Sequence, residues 1–175
     1  MDSDVAIVAV DPGATCGIAF YHNGRFETMQ LPKREAMGFL HGVVSGLADA
    51  GVRPALVVER FITGRGPHRA VTNQPDALEV LGALSALSEL LELPYILQSA
   101  ADAKAIGTDP HIRQIGWYRS GWPHANDAAR HAYLALMRRW PKEFARVIRG
   151  ETQEINQVIE EPEELRNRAD SAASS

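Results

Sequence analysis

The sequence has one cysteine, Cys16, in 175 residues. That excludes an internal disulfide framework and a zinc site built from cysteines. No apolar run approaches the roughly 20 residues needed to cross a bilayer, so a membrane-spanning protein is not expected. The start, Met1-Asp2-Ser3-Asp4, is acidic and lacks the basic opening of a secretory signal; a cytoplasmic protein is the expectation. Internal repeats are missing as well. So is an excess of basic charge: the net charge is −4, which on its face argues against a nucleic-acid partner. The distribution changes that reading. From Glu151 onward seven acids stand against two bases, so that segment carries −5 and residues 1–150 carry +1. The chain divides into a near-neutral domain, 1–150, and an acidic tail, 151–175, expected to be a frayed helix or disorder and dispensable for folding.

What is present reads as alternating structure. Val5 to Val10 is a buried strand closed by the turn Asp11-Pro12-Gly13. Gly17 to Tyr21 and Phe26 to Leu31 are two more strands, joined by a hairpin centred on Asn23-Gly24. Met37, Leu40, Val44 and Leu47 then fall on one face of a helix over Lys33 to Ala50. A fourth strand, Ala55 to Val58, ends at Glu59; a long apolar helix is predicted over Pro75 to Leu93, and Tyr95 to Leu97 is a fifth strand. Ser99 to Gly121 is expected to hold one short helix and a loop. Pro123 opens a strong helix running to about Trp140. The order β-β-β-α-β-α-β-α implies an α/β protein with one mixed sheet, its first three strands an antiparallel meander, and helices packed on it.

Three acids occupy element ends in this scheme. Asp11 ends the first strand, Glu59 the fourth, and Asp127 lies one turn into the last helix, with His124 three residues before it on the same face. If strands one and four are parallel neighbours, Asp11 and Glu59 stand side by side, and a helix crossing that end adds Asp127 and His124. Such a set has a chemical use. Phosphodiester hydrolysis needs an activated water and stabilisation of charge on the leaving oxygen, and two divalent ions about 4 Å apart provide both. Hard ions such as Mg²⁺ take oxygen ligands. The loop after Glu59 is basic, with Arg60, Arg65, His68 and Arg69 among glycines, which suits a phosphate clamp. Trp117, Tyr118 and Trp122 are expected in the core, and Cys16 inside a strand.

The motifs resemble a known family. Val8-Ala9-Val10-Asp11-Pro12-Gly13-Ala14-Thr15-Cys16-Gly17 is similar to the opening strand and turn of RuvC-type Holliday-junction resolvases; the resemblance implies their ribonuclease-H-like fold, a mixed five-stranded sheet of three antiparallel and two parallel strands flanked by helices. Val57-Val58-Glu59-Arg60-Phe61 resembles their second acidic strand, and His124-Ala125-Asn126-Asp127-Ala128-Ala129 their final acidic helix. The likeness spans roughly residues 5–140 and looks nearest to bacteriophage versions. It implies a homodimeric endonuclease, dependent on Mg²⁺ or Mn²⁺ with two ions per site, that nicks two strands of a four-way DNA junction. Asp11, Glu59 and Asp127 would be ligands, and His124 a ligand or proton-transfer group. Phe61 would stack at the opened junction, and Lys104 and Arg113 would contact the DNA backbone. The apolar helix over 75–93 is expected at the dimer interface. Two other readings use the same residues: a non-catalytic binder of branched nucleic acid, and a nuclease of this fold acting on flaps, forks or structured RNA. An actin-like or sugar-kinase ATPase also opens on an Asp-Gly turn, but it needs two such domains, and this chain has room for one.

Overall fold

A computed structural model describes residues 5–60 and 75–151. Strands β1 (Ala6–Asp11), β2 (Thr15–His22) and β3 (Arg25–Pro32) form an antiparallel meander. Its β2–β3 turn has positive φ at both Asn23 and Gly24, the backbone that a two-residue hairpin requires and that Asn-Gly tolerates. Helix α1 (Lys33–Asp49) leads to β4 (Ala55–Glu59), which lies parallel to β1; α2 (Pro75–Leu90) leads to β5 (Tyr95–Gln98), parallel to β4. The sheet order is β3-β2-β1-β4-β5, with three antiparallel and two parallel strands, as the resemblance implies.

Two differences from the sequence reading lie after β5. Residues 99–121 hold two short helices rather than one, α3 (Ala100–Ile106) and α4 (Asp109–Gln114). Ser99 caps the first by accepting from the Asp102 N–H, and Pro110 sits in the first turn of the second. Helix α5 (Pro123–Arg139) ends where the sequence reading places its end, and a further helix, α6 (Pro141–Ile148), follows in a stretch that reading left unassigned. The long helix predicted to Leu93 stops at Leu90, and Leu93 turns into the core.

Strand alternation sorts the core into two layers. Val8, Val10, Ile18, Leu56 and Val58 face α1 and α2, where Leu40, Val44, Val80 and Leu84 are buried. Ile7, Ala9, Ala19, Tyr21 and Val57 face α5, where Ala128, Ala129 and Ala132 are buried. Trp117 completes the second layer, its ring stacked on Phe26 at 3.7 Å. Cys16 is buried. Among the described residues no helix is long and apolar enough to cross a membrane.

Candidate active site

The same alternation aims the strand-end polar groups. Asp11 continues the series Ile7, Ala9; Glu59 follows Val57; Gln98 follows Ile96, and all three series belong to the α5 face. The parallel register pairs Val10 with Val58 and Glu59 with Gln98. Asp11, Glu59 and Gln98 therefore form a row across three adjacent strands at one end of the sheet.

Helix α5 crosses that end at very short range, and Gly17 is the reason. It is the antiparallel partner of Asp11. A Cβ there would lie 1.9 Å from the His124 carbonyl oxygen, so only glycine lets the first turn of the helix settle on β2. Buried Asn126 fixes the approach: its side chain accepts from the Arg119 N–H and donates to the Arg119 carbonyl, both at 2.8 Å. With α5 in this place, His124 Nδ1 meets Asp11 Oδ2 at 2.8 Å.

Strands β1, β2 and β4 and helices α2 and α5 thus border one cavity of about 520 Å³, lined by Asp11, the stretch Pro12 to Thr15, Glu59, His124, Asp127 and the start of α2 with Asp76. Lys33 holds that start in place, its Nζ 2.5 Å from Asp76 Oδ1 and also bonded to Glu79. Asp11 is 8% exposed, and its carboxyl is pushed up to about 6. Burial is the main cause; the hydrogen bond from His124 opposes it, and the charges of Glu59 and Asp127 add to it.

The four residues singled out as catalytic from sequence, Asp11, Glu59, His124 and Asp127, all line this cavity. Each acid is engaged by a base. Glu59 Oε2 lies 3.0 Å from His131 Nε2. Asp127 bonds to Arg130, which also bonds to Asp109, and lies 3.2 Å from Lys104 Nζ. As the side chains stand, no three His, Cys, Asp or Glu among the described residues meet closely enough to hold an ion. In donor type and placement the set nonetheless fits a hard divalent cation. Carboxylate oxygens ring a cavity in which a buried acid already titrates high beside two like charges, a cost that a cation would relieve.

Of the residues predicted to contact nucleic acid, Lys104 is drawn to the site through Asp127. Arg60 is exposed next to Glu59, its N–H donating to the Gln98 carbonyl. Arg113 is not among the cavity residues; its guanidinium stacks 3.3 Å over the Tyr118 ring. Phe61, Arg65 and Arg69 lie outside the described residues. Of the three aromatics expected in the core, Trp117 is there, Tyr118 is partly buried under Arg113, and Trp122 is 42% exposed because it stands at the entry to α5, outside its first turn. Sequence reasoning missed His131, Gln98 and Arg130. Their spacing puts them near the site without marking them out: His131 and Arg130 follow Asp127 by four and three residues on a helix, and Gln98 ends its strand as Glu59 ends its own.

No protein-family model matches the chain, and no curated protein does. Solved structures do. Thermus thermophilus RuvC in complex with a Holliday junction substrate superposes with a TM-score of 0.52 at 18% identity, over 77% of this chain and 95% of that one. This chain has the ribonuclease-H-like fold of that protein. A second Thermus thermophilus RuvC structure gives a TM-score of 0.48 at 18% identity, over 77% and 96% of the two chains.

Proposed function

We propose that this chain is a divalent-metal-dependent endonuclease that cleaves branched DNA, four-way junctions in particular. The observation that carries the reading is the convergence of Asp11, Glu59 and Asp127 on one cavity, at the end of a ribonuclease-H-like sheet where the parallel pair β1 and β4 ends. Asp11, Glu59 and Asp127 would hold the ions, Mg²⁺ or Mn²⁺. Bound there, a pair of them would supply positive charge to the scissile phosphate and its leaving oxygen. The chain's own groups do the rest. His124 is bonded to Asp11 through Nδ1 and its side chain is 45% exposed, so its second ring nitrogen can exchange a proton with a group in the cavity. Lys104, 56% exposed and paired with Asp127, would be free to contact a DNA phosphate where Asp127 holds an ion. Exposed Arg60 adds a backbone contact beside Glu59.

Cutting two strands of a junction calls for two sites, and the reading includes a two-fold dimer. Leu78 and Leu90 on α2 support it, being 48% and 81% exposed. Sedimentation at micromolar concentration tests that part: paired incisions by a strict monomer would count against it. The activity itself is tested with matched four-way junction, flap, duplex and single-stranded DNA, in Mg²⁺, Mn²⁺ or EDTA. The expected result is ion-dependent incision of the junction above all others. Junction binding without incision in either ion would leave a branched-DNA binder, and preference for the flap would move the substrate within the same fold.

A further inference from the structure

His131 is the most deeply buried ionisable side chain at the candidate site, 1% exposed, and no part of the proposed chemistry uses it. Its two ring nitrogens are both engaged. Nδ1 lies 2.9 Å from Gln98 Oε1, and Nε2 lies 3.0 Å from Glu59 Oε2. A carboxylate oxygen can only accept, so the Glu59 contact places a proton on Nε2, and the Gln98 amide, which offers both an acceptor and donors, meets Nδ1 and fixes the orientation of the ring. Gln98 is itself 6% exposed and sits beside Glu59 in the β4–β5 register. The three side chains form a line: the amide holds the ring, and the ring holds one oxygen of the carboxylate. Glu59 Oε2 is thereby committed inward, away from solvent, while the same carboxylate borders the cavity.

We propose that His131, braced by Gln98, is a positioning residue that holds Glu59 by Oε2 and so presents Oε1 to an ion. The proposal rests on Glu59 being an ion ligand, as argued above. Its physical content is that a carboxylate tied at one oxygen binds through the other alone and at a fixed angle, whereas an untied one can rotate, bind through both oxygens or swing away. Outer partners of this kind typically change metal affinity by about 10- to 100-fold when removed. The neighbours differ in this respect: Asp11 is tied to a His124 that is half exposed, and Asp127 to Arg130 and to Lys104, the latter more than half exposed. Of the three acids, Glu59 is the one tied to a wholly buried partner.

The test uses the full chain and two probes, Mn²⁺ titrated calorimetrically and Tb³⁺, whose luminescence lifetimes in H₂O and D₂O count the waters left on the ion. His131→Leu removes both bonds. It should weaken Mn²⁺ binding by about 10- to 100-fold and change the Tb³⁺ hydration number. His131→Gln keeps an N–H within reach of Glu59 and should restore affinity to within a few-fold of wild type. If His131→Leu does not fold, Gln98→Met gives the same reading, since it leaves His131 in place but frees its ring; it should lower affinity less and also alter hydration. The proposal is overturned if His131→Leu or Gln98→Met keeps wild-type affinity and hydration, or if His131→Gln loses as much as His131→Leu, which would make the residue mere packing. Glu59→Gln separates the two levels. Wild-type affinity in that variant, or no Mn²⁺ binding by the wild type, takes down the metal-site reading and this proposal together. Loss in Glu59→Gln with none in His131→Leu takes down this proposal alone.

Discussion

The two faces of the sheet come from the same strands, read at alternate residues, yet they are covered in different ways. Toward α1 and α2, branched aliphatics meet branched aliphatics: Val8, Val10, Leu56 and Val58 against Leu40, Val44, Val80 and Leu84. The buried polar group on the helices of that side, Ser88, is satisfied within its own helix by the Ser85 carbonyl. Toward α5 the contact near the site is made by small residues, Ala9, Gly17 and Ala19 against Ala125, Ala128 and Ala129. Asp11, Gln98, Asn126 and His131 are all buried on this side. Small residues bring the helix backbone close, and that closeness is what lets side chains from α5 reach carboxylates at strand ends. Farther along the layer the packing turns to large rings, with Tyr21 and Phe26 against Trp117. One face therefore stabilises, and the other stabilises and holds chemistry.

The largest expected effect breaks the chemistry and spares the fold. Glu59→Gln or Asp127→Asn should slow single-turnover junction cleavage by about 10³-fold or more, because a charge that offsets the transition state is lost, while the circular dichroism spectrum and melting temperature stay close to wild type. Cleavage at wild-type rate in both would end the assignment of these residues.

Much of the site is legible in the sequence, for physical reasons. Asp11 and Glu59 can be placed at strand ends because period-two alternation and a strand-ending turn fix where a side chain points; that they stand side by side follows only once β1 and β4 are taken as parallel neighbours. His124 and Asp127 are legible from helical spacing once α5 is recognised. What stays hidden depends on partners far apart in sequence. Nothing local to His131 distinguishes a core histidine from one bonded to Glu59, 72 residues away, and to Gln98, 33 residues away. Arg130 reads as an ordinary helix-surface base until α4 places Asp109 beside it. The split of residues 99–121 into two helices escapes a sequence reading because each has seven residues or fewer, too few for periodicity to register.

The next effect sharpens the contrast from the other side. Leu84 is wholly buried against the α1/α2 face. Leu84→Ala should cost about 2–5 kcal/mol of stability through lost burial and a cavity, with cleavage per folded molecule unchanged. Urea unfolding and active-site-normalised rates on the same samples check both halves. A fall in rate beyond the unfolded fraction would mean the apolar face does more than stabilise.

A pair of glycines tests the close approach itself. In Gly17→Ala the new Cβ would collide with the His124 carbonyl, and the backbone must give way. The expected cost is about 1–3 kcal/mol, together with reduced cleavage, since His124 and Asp127 move with the helix. Gly42, exposed in α1 with nothing within 4 Å of where an alanine methyl would stand, is the control. Gly42→Ala should gain up to about 1 kcal/mol from helix propensity and leave cleavage alone. A Gly17→Ala variant as stable and as active as Gly42→Ala would show that the clash at Gly17 is relieved at no cost.

The smallest effect is the most specific, because its sign depends on pH. Asp11 has a folded-state carboxyl at about 6 against an ordinary value of 3.8, burial being the main cause. The folded protein therefore binds this proton more tightly than the unfolded chain does. Between about pH 4 and 6 the folded state carries more of the proton, so stability falls as pH rises through that window. Below it Asp11 is neutral in both states and costs nothing; above it the full penalty of a buried charge is present. Asp11→Asn has no proton to lose. In EDTA the variant should exceed wild type by about 1–3 kcal/mol at pH 7.5, by the relation of 1.36 kcal/mol per pKa unit, and the advantage should shrink toward zero as pH falls to 4. Saturating Mn²⁺ should reverse the order at pH 7.5, because an ion that binds only the folded wild type stabilises it by mass action and the variant has lost a ligand. Urea melts of both proteins at pH 4.5 and 7.5, each with EDTA and with Mn²⁺, contain the whole test. An Asn advantage that does not vary with pH would mean the gain comes from packing and not from the buried charge. A wild type that Mn²⁺ fails to stabilise would remove the reason for keeping an acid in this place at all.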